Sequence, residues 1–337
     1  MTRSVRRIAA LACLVVFSGT AQAKPAVTPA SKAIRYVAKT QAPDGTFFGG
    51  GQTVAYSGGL ADTLVSLSAD TGLRRGRLGP ALAQLQVKGP EEMTRAAYAA
   101  RAVMALVAVG RNPRSFGGYD YVAKLDSYYS TGAWEGQMYA NAIAALGALA
   151  AHGSIPDDAV LWFRATQCPD GGWGWFSPCV AADVDTTALV VNVLAGAGLP
   201  SSDLTLARGR DYLIAAQNEA GGFGAAKDQE TNANSTGLAL SAIAALGEHP
   251  RHGPWNLGDG RDPLTQILAL QAPEGGFYWR AGTHGGINNY ATVQAIPGVA
   301  GRSYPLMPAL RRCPPRFREG SRWEPCHRER EEARARA

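Results

Sequence analysis

Two kinds of apolar pattern alternate through the body of the chain. One is amphipathic, as in Arg210-Asp-Tyr-Leu-Ile-Ala-Ala-Gln217, with apolar positions at helical spacing. The other is apolar on nearly every side: Ala96 to Val109, Ala140 to Ala150, Thr187 to Leu194, Ser235 to Leu246 and Ala291 to Val299. A helix without a polar face has to be buried, and small residues such as Ala142, Ala144, Ala145 and Gly147 allow close packing. The pattern therefore predicts surface helices alternating with buried ones.

A recurrent loop joins them. Gln167-Cys-Pro-Asp-Gly-Gly-Trp173, Gln217-Asn-Glu-Ala-Gly-Gly-Phe223 and Gln271-Ala-Pro-Glu-Gly-Gly-Phe277 match closely, and Gln41-Ala-Pro-Asp-Gly-Thr-Phe47 differs at one glycine. The spacing from Gln41 to Gln167 leaves room for two degenerate copies, near Gln86 and Tyr128. Six helix pairs result. No polar terminal cap is visible, so closure into a ring is favoured over an open solenoid. The expected fold is all-α, an (α/α)6 toroid with six inner and six outer helices.

The loop chemistry reads as structural. The glycines supply positive φ for a sharp turn. The aromatic residue packs back onto the helices, and the Gln side chain reaches unpaired backbone groups of a neighbouring unit.

Composition adjusts this picture. Charged residues make up 18% and hydrophobic residues 46% of 337, a chain too apolar for disorder. The net charge of +6 invites a nucleic-acid reading. Residues 1–23, however, hold three Arg and no acid, and residues 302–337 hold ten Arg against five Glu. The body between is nearly neutral, so a basic nucleic-acid groove is not expected. No apolar run is long enough to span a bilayer.

Arg3, Arg6 and Arg7, the apolar run Ile8 to Phe17, and Ala21-Gln22-Ala23 read as a signal peptide over residues 1–23. A secreted or periplasmic protein is expected, with the toroid at 24–304 and a charged Arg/Glu-rich tail at 305–337. Four cysteines then remain: Cys168, Cys179, Cys313 and Cys326. Sequence order suggests Cys168–Cys179 and Cys313–Cys326, although four cysteines allow three pairings.

The Gln-x-x-x-Gly-Gly-Phe/Trp copies resemble those of the terpenoid cyclase and protein prenyltransferase superfamily, over about residues 31–304. Three branches bear on this chain. Class II terpene cyclases, squalene–hopene cyclase among them, carry an Asp-x-Asp-Asp motif, and Asp183-Val-Asp185-Thr186 stands in a similar place. That resemblance implies Asp185 as proton donor and Asp183 as its partner; the residues by themselves read first as helix caps or a structural polar cluster, ahead of ligand contact and acid catalysis. Prenyltransferase β subunits use an Asp-x-Cys pair and a later His for zinc; no such pair occurs here, and no metal or cofactor is expected. Cobalamin carriers share the export signal and the single toroid, and residues 289–304 are similar to their closing helix.

In such a barrel the inner-helix N-termini open on one face. Repeat register brings Tyr56, Tyr98, Trp134, Tyr139, Asn141, Trp175, Asp183, Asp185, Asn232, Asn234, Trp279, Asn288, Asn289 and Tyr290 there as candidate ligand-binding residues. Export and the single domain lead to an expectation of a non-catalytic binder of a hydrophobic or corrinoid-like small molecule. The alternatives are a class II cyclase with Asp185 as general acid, and a protein–protein scaffold.

Overall fold

The computed structural model describes residues 27–70, 78–282 and 285–306. The segment read as a signal peptide, His284, Cys313, Cys326 and most of the charged tail therefore lie outside the described residues. Pro305 and Leu306, placed with the tail on sequence, belong to the folded body: Leu306 is buried.

Among the described residues there are twelve α-helices and no strand beyond isolated bridges. The outer helices are α1 (Pro29–Lys39), α3 (Leu78–Glu92), α5 (Tyr121–Asp126), α7 (Asp157–Ala165), α9 (Leu204–Ala216) and α11 (Pro263–Ala269). The inner helices are α2 (Leu60–Leu67), α4 (Ala96–Ala108), α6 (Met138–His152), α8 (Val184–Gly196), α10 (Ala233–Ala245) and α12 (Asn289–Val299). Each inner helix packs on the next, and α12 packs on α2, so the ring closes. The fold is an α/α toroid, as the alternating pattern predicts.

The inner helices are buried almost residue for residue, from Met138 to Ala150 in α6. Small residues set how near they come. A Cβ on Gly147 would lie 2.6 Å from the Ala100 Cα, and one on Gly237 would lie 2.6 Å from the Ala295 Cα. Those glycines admit the neighbouring backbones of α4 and α12.

The loop motif holds the ring together. Gln167 Nε2 donates to its own Gly171 carbonyl at 2.7 Å and to the Thr205 carbonyl of the next unit at 2.8 Å. Gln217 repeats this with Gly221 and Trp255. Gln271 donates to Gly275 and, across the closure, to Pro29 at the start of α1, each at 2.9 Å. The first glycine of each pair has positive φ and sits against the next outer helix. A Cβ on Gly171 would be 2.7 Å from the Arg208 carbonyl oxygen, and one on Gly221 would strike the Arg261 backbone.

Sequence spacing places degenerate copies near Gln86 and Tyr128. Tyr128 does head a related loop: Gly132 has positive φ against the Asp158 carbonyl, and Trp134 takes the aromatic position. Gln86 does not behave as a motif Gln. It lies within α3, which runs on to Glu92, and its side chain is exposed.

Two substitutions test this account by urea denaturation. Gln271→Ala should cost about 1–3 kcal/mol by orphaning buried carbonyls. Gly221→Ala should cost ~2–5 kcal/mol through strained φ and the clash with α11's approach. Gly79→Ala, in open space within α3, should be neutral or stabilise by up to ~1 kcal/mol.

Candidate active site

One register rule places every side chain at the mouth. Asp183, Asn232 and Asn288 are the N-caps of α8, α10 and α12, and each side chain accepts a backbone N–H three residues on. Their own N–H groups donate to the carbonyls of Trp173, Phe223 and Phe277. Four residues past each cap, Thr187, Thr236 and Thr292 accept the backbone N–H of the same aromatics, at 2.9, 3.1 and 2.8 Å. Asn141 does this for Trp134 at 2.7 Å, counting from the cap Gln137.

With the helices fixed in phase, the residue two past each cap faces the barrel mouth. Those residues are Tyr139, Asp185, Asn234 and Tyr290. A layer deeper, six past the caps, come Arg101, Ile143, Leu189, Leu238 and Gln294, all lining a small central space of about 40 Å³. Nine past the caps come Asn192 and Ser241, bonded to one another at 3.1 Å.

Asp185 is the chemically distinctive group of the mouth layer. Its Oδ1 is buried without a hydrogen-bond partner. Burial pushes its pKa up to about 7; the Ser235 hydroxyl, which donates to it, works the other way, and the nearby Asp183 charge adds to the rise. Asp183 is raised too, first by burial, although Thr186 donates to it from both N–H (2.7 Å) and Oγ1 (2.9 Å) and the Trp175 N–H adds a third bond. The carboxylates thus have separate tasks. Asp183 is tied into the helix cap, and Asp185 is left facing the lumen.

Aromatic rings surround that carboxyl. Tyr139 stacks on Trp175 with centroids 4.6 Å apart and planes 22° from parallel. Tyr139 and Tyr290 are hydrogen-bonded through their hydroxyls. Gln294 donates to the Tyr290 oxygen at 2.8 Å and accepts from Asn234 at 2.7 Å. The loop carrying Trp175 is fastened by a Cys168–Cys179 disulfide, the pairing that sequence order favours.

A buried ion pair lies beneath. Arg101 Nε sits 3.1 Å from Asp62 Oδ1, and its Nη2 donates to Ser57 Oγ at 2.8 Å. Burial is the largest influence and opposes the guanidinium charge, but Asp62, Tyr139 and Tyr290 together outweigh it, so its pKa is raised. Neither residue was singled out on sequence. The available signal was a charge inside the otherwise apolar run from Ala96 to Val109. Ser235, Gln294 and Tyr304 were also passed over, because only the phase of their segments turns them inward.

The family model of the prenyltransferase alpha-alpha toroid domain matches residues 7–280. The chain belongs to this family. A drimenyl diphosphate synthase from Streptomyces showdoensis is 28% identical over 134 residues, which are 39% of this chain and 24% of the synthase. The matched stretch therefore spans about a quarter of that relative's length. The type II terpene cyclase MstE from Scytonema superposes with a TM-score of 0.59 at 13% identity, over 81% of this chain and 96% of MstE. A variant of MstE solved with its substrate, geranylgeranyl dihydroxybenzoate, aligns with the same score and coverage at 12% identity.

These neighbours overturn the expectation of a non-catalytic binder: those named are terpene cyclases and synthases. The single domain had argued against catalysis, yet one toroid of this extent covers nearly all of MstE. The corrinoid-like ligand falls with that reading.

Several candidate ligand residues are engaged in contacts within the fold. Asp183, Asn232 and Asn288 are caps, because a cap side chain turns back onto its own first turn. Trp134 and Asn141 are the aromatic and the clamp of a degenerate repeat, both buried. Asn289 accepts from the Tyr36 hydroxyl on α1 at 3.2 Å. Tyr56, paired edgewise with Tyr98, forms the outer rim, as does Trp279 under the Arg280 guanidinium. Tyr139, Asp185, Asn234, Tyr290 and Trp175 remain together around one point.

An open recess of about 900 Å³ lies outside this ring, between the loops at 217–220 and 228–231 and the segment Tyr278–Gly282. It shares no lining residue with the small central space of the lumen.

A raised carboxyl pKa has a sign in stability. Folding favours the protonated form, so the native state holds more protons than the unfolded chain between about pH 4 and pH 7. Stability should fall as pH rises through that window and level off above it. Asp185→Asn should flatten the curve and melt higher than the wild type at pH 8, with little difference at pH 4. Thermal melts at those two values check this.

Proposed function

We propose that this toroid is a class II-type terpene cyclase in which Asp185 is the general acid. The observation that carries the reading is a carboxyl with one unpaired buried oxygen, a pKa pushed up to about 7, and a wall of aromatic rings around it. Such a carboxyl is still substantially protonated near neutral pH, as an acid for alkene protonation must be. The proton moves from Asp185 to the terminal alkene carbon of an isoprenoid. The resulting tertiary cation is attacked by an internal alkene, closing a ring, and loss of a proton ends the sequence. The Ser235 hydroxyl stabilises the carboxylate left behind, which favours release of the proton.

Tyr139, Trp175 and Tyr290 supply faces and edges at which positive charge is tolerated. Thr186 stands where the resembling motif has its last Asp. Its two hydrogen bonds to Asp183 hold the neighbouring carboxylate in the cap, so the Asp183 charge is fixed close to Asp185. The exported location read from residues 1–23 is proposed alongside this function and is independent of it.

Purified protein incubated with neutral and diphosphate-bearing prenyl substrates should give cyclised products by gas chromatography–mass spectrometry. Asp185→Asn should lower the rate by about 10²-fold or more, while Asp183→Asn acts mainly on stability. The rate of the wild type should fall as pH rises past about 7, since the acid form is then lost. No product from any isoprenoid, or full activity in Asp185→Asn, would rule the acid role out.

A further inference from the structure

We propose that the segment following α12 re-enters the barrel and that Tyr304, at its tip, is the floor of the reaction chamber and sets how far below the acid an isoprenoid chain can enter. This rests on the cyclase reading and adds a specificity-determining residue to it.

The segment is held from both sides. Tyr304 N–H donates to Asn192 Oδ1 of α8 at 2.8 Å, and Leu306 beyond it is buried. Asn192 lies on the same face of α8 as Asp185 and Leu189. It is seven residues beyond the acid, so the anchor sits about 10 Å below Asp185 along the barrel axis. Asn192 is itself fixed by donating to Ser241 Oγ and to the Ala188 carbonyl. From that anchor the phenol rises into the lumen. It borders the residual space together with Asp62, Arg101, Tyr139 and Gln294. The phenol's pKa is driven up, first by burial and then by the Asp62 charge, as befits a ring in the barrel interior.

Two consequences follow. The lumen below the mouth layer is nearly filled, with about 40 Å³ left, roughly room for one water. A chain whose terminal alkene meets Asp185 therefore cannot descend past the middle layer, and its remainder must lie among Trp175, Tyr290 and the outer rim. In addition, apart from Asp62, Arg101, Tyr139 and Gln294, the walls around the phenol are apolar, Leu146, Leu189, Leu238 and Val293 among them. Removing the ring would open an apolar shaft down to Asn192, suited to additional isoprene carbons.

The test is binding, not turnover. Asp185→Asn protein is titrated with geraniol, farnesol and geranylgeraniol, reading tryptophan fluorescence, and compared with the same protein carrying Tyr304→Ala or the milder Tyr304→Val. The prediction is that both double variants shift preference toward the longer alcohols, with geranylgeraniol gaining about tenfold or more over geraniol. Circular dichroism identifies a variant that has lost its fold, and Tyr304→Val then carries the comparison. An unchanged chain-length profile in folded protein overturns the floor while leaving the isoprenoid site standing. Binding of none of the three alcohols by any variant overturns the isoprenoid reading and the floor together.

Discussion

The toroid depends on how each loop aromatic is gripped by the inner helix that follows it. The backbone N–H of Trp173, Phe223 and Phe277 goes to a threonine four past the cap, and the carbonyl takes the N–H of the cap itself. Two bonds to one residue leave the helix no rotational freedom. A helix buried almost all round, as α10 is, could otherwise turn about its axis at little cost, because no face of it has to meet solvent. The clamp removes that ambiguity and decides which residues look into the barrel. The Gln bonds then repeat the unit around the ring until Gln271 reaches Pro29.

Charge in the lumen follows from that phase. Arg101 is carried into the interior on a helix of alanines, and it can be there only because Asp62 on α2 arrives opposite it. The carboxyl in the mouth layer has no such partner. Asp185 meets a serine hydroxyl and two tyrosines instead of a cation, and its pKa is pushed up to about 7. One barrel thus contains a carboxylate paired with a guanidinium and a carboxyl without such a partner.

At 13% identity the likeness to MstE speaks for the fold, and the shared extent means that a single toroid is a sufficient body for such an enzyme. The role of Asp185 is argued from its own surroundings. The disulfide across the Trp175 loop fits the same economy: it fastens the ring that stacks on Tyr139.

The six-pair architecture, the buried character of the inner helices and the structural purpose of the Gln–Gly–aromatic loops were determined by the sequence alone. They are local and periodic, and each repeat reports on the others. The same register also separates caps from lumen residues, since Asp183 aligns with Asn232 and Asn288, while Asp185 aligns with Tyr139, Asn234 and Tyr290. Read without that alignment, caps and lumen residues look like one polar cluster, which is why Asn232 and Asn288 passed for ligand contacts. Tertiary structure alone decided the rest. That Arg101 meets Asp62, that Ser235 reaches Asp185, and that Tyr304 returns to Asn192 are contacts between residues tens to more than a hundred positions apart. No local pattern encodes them, because they exist only once the ring has closed and brought six helix faces to one axis.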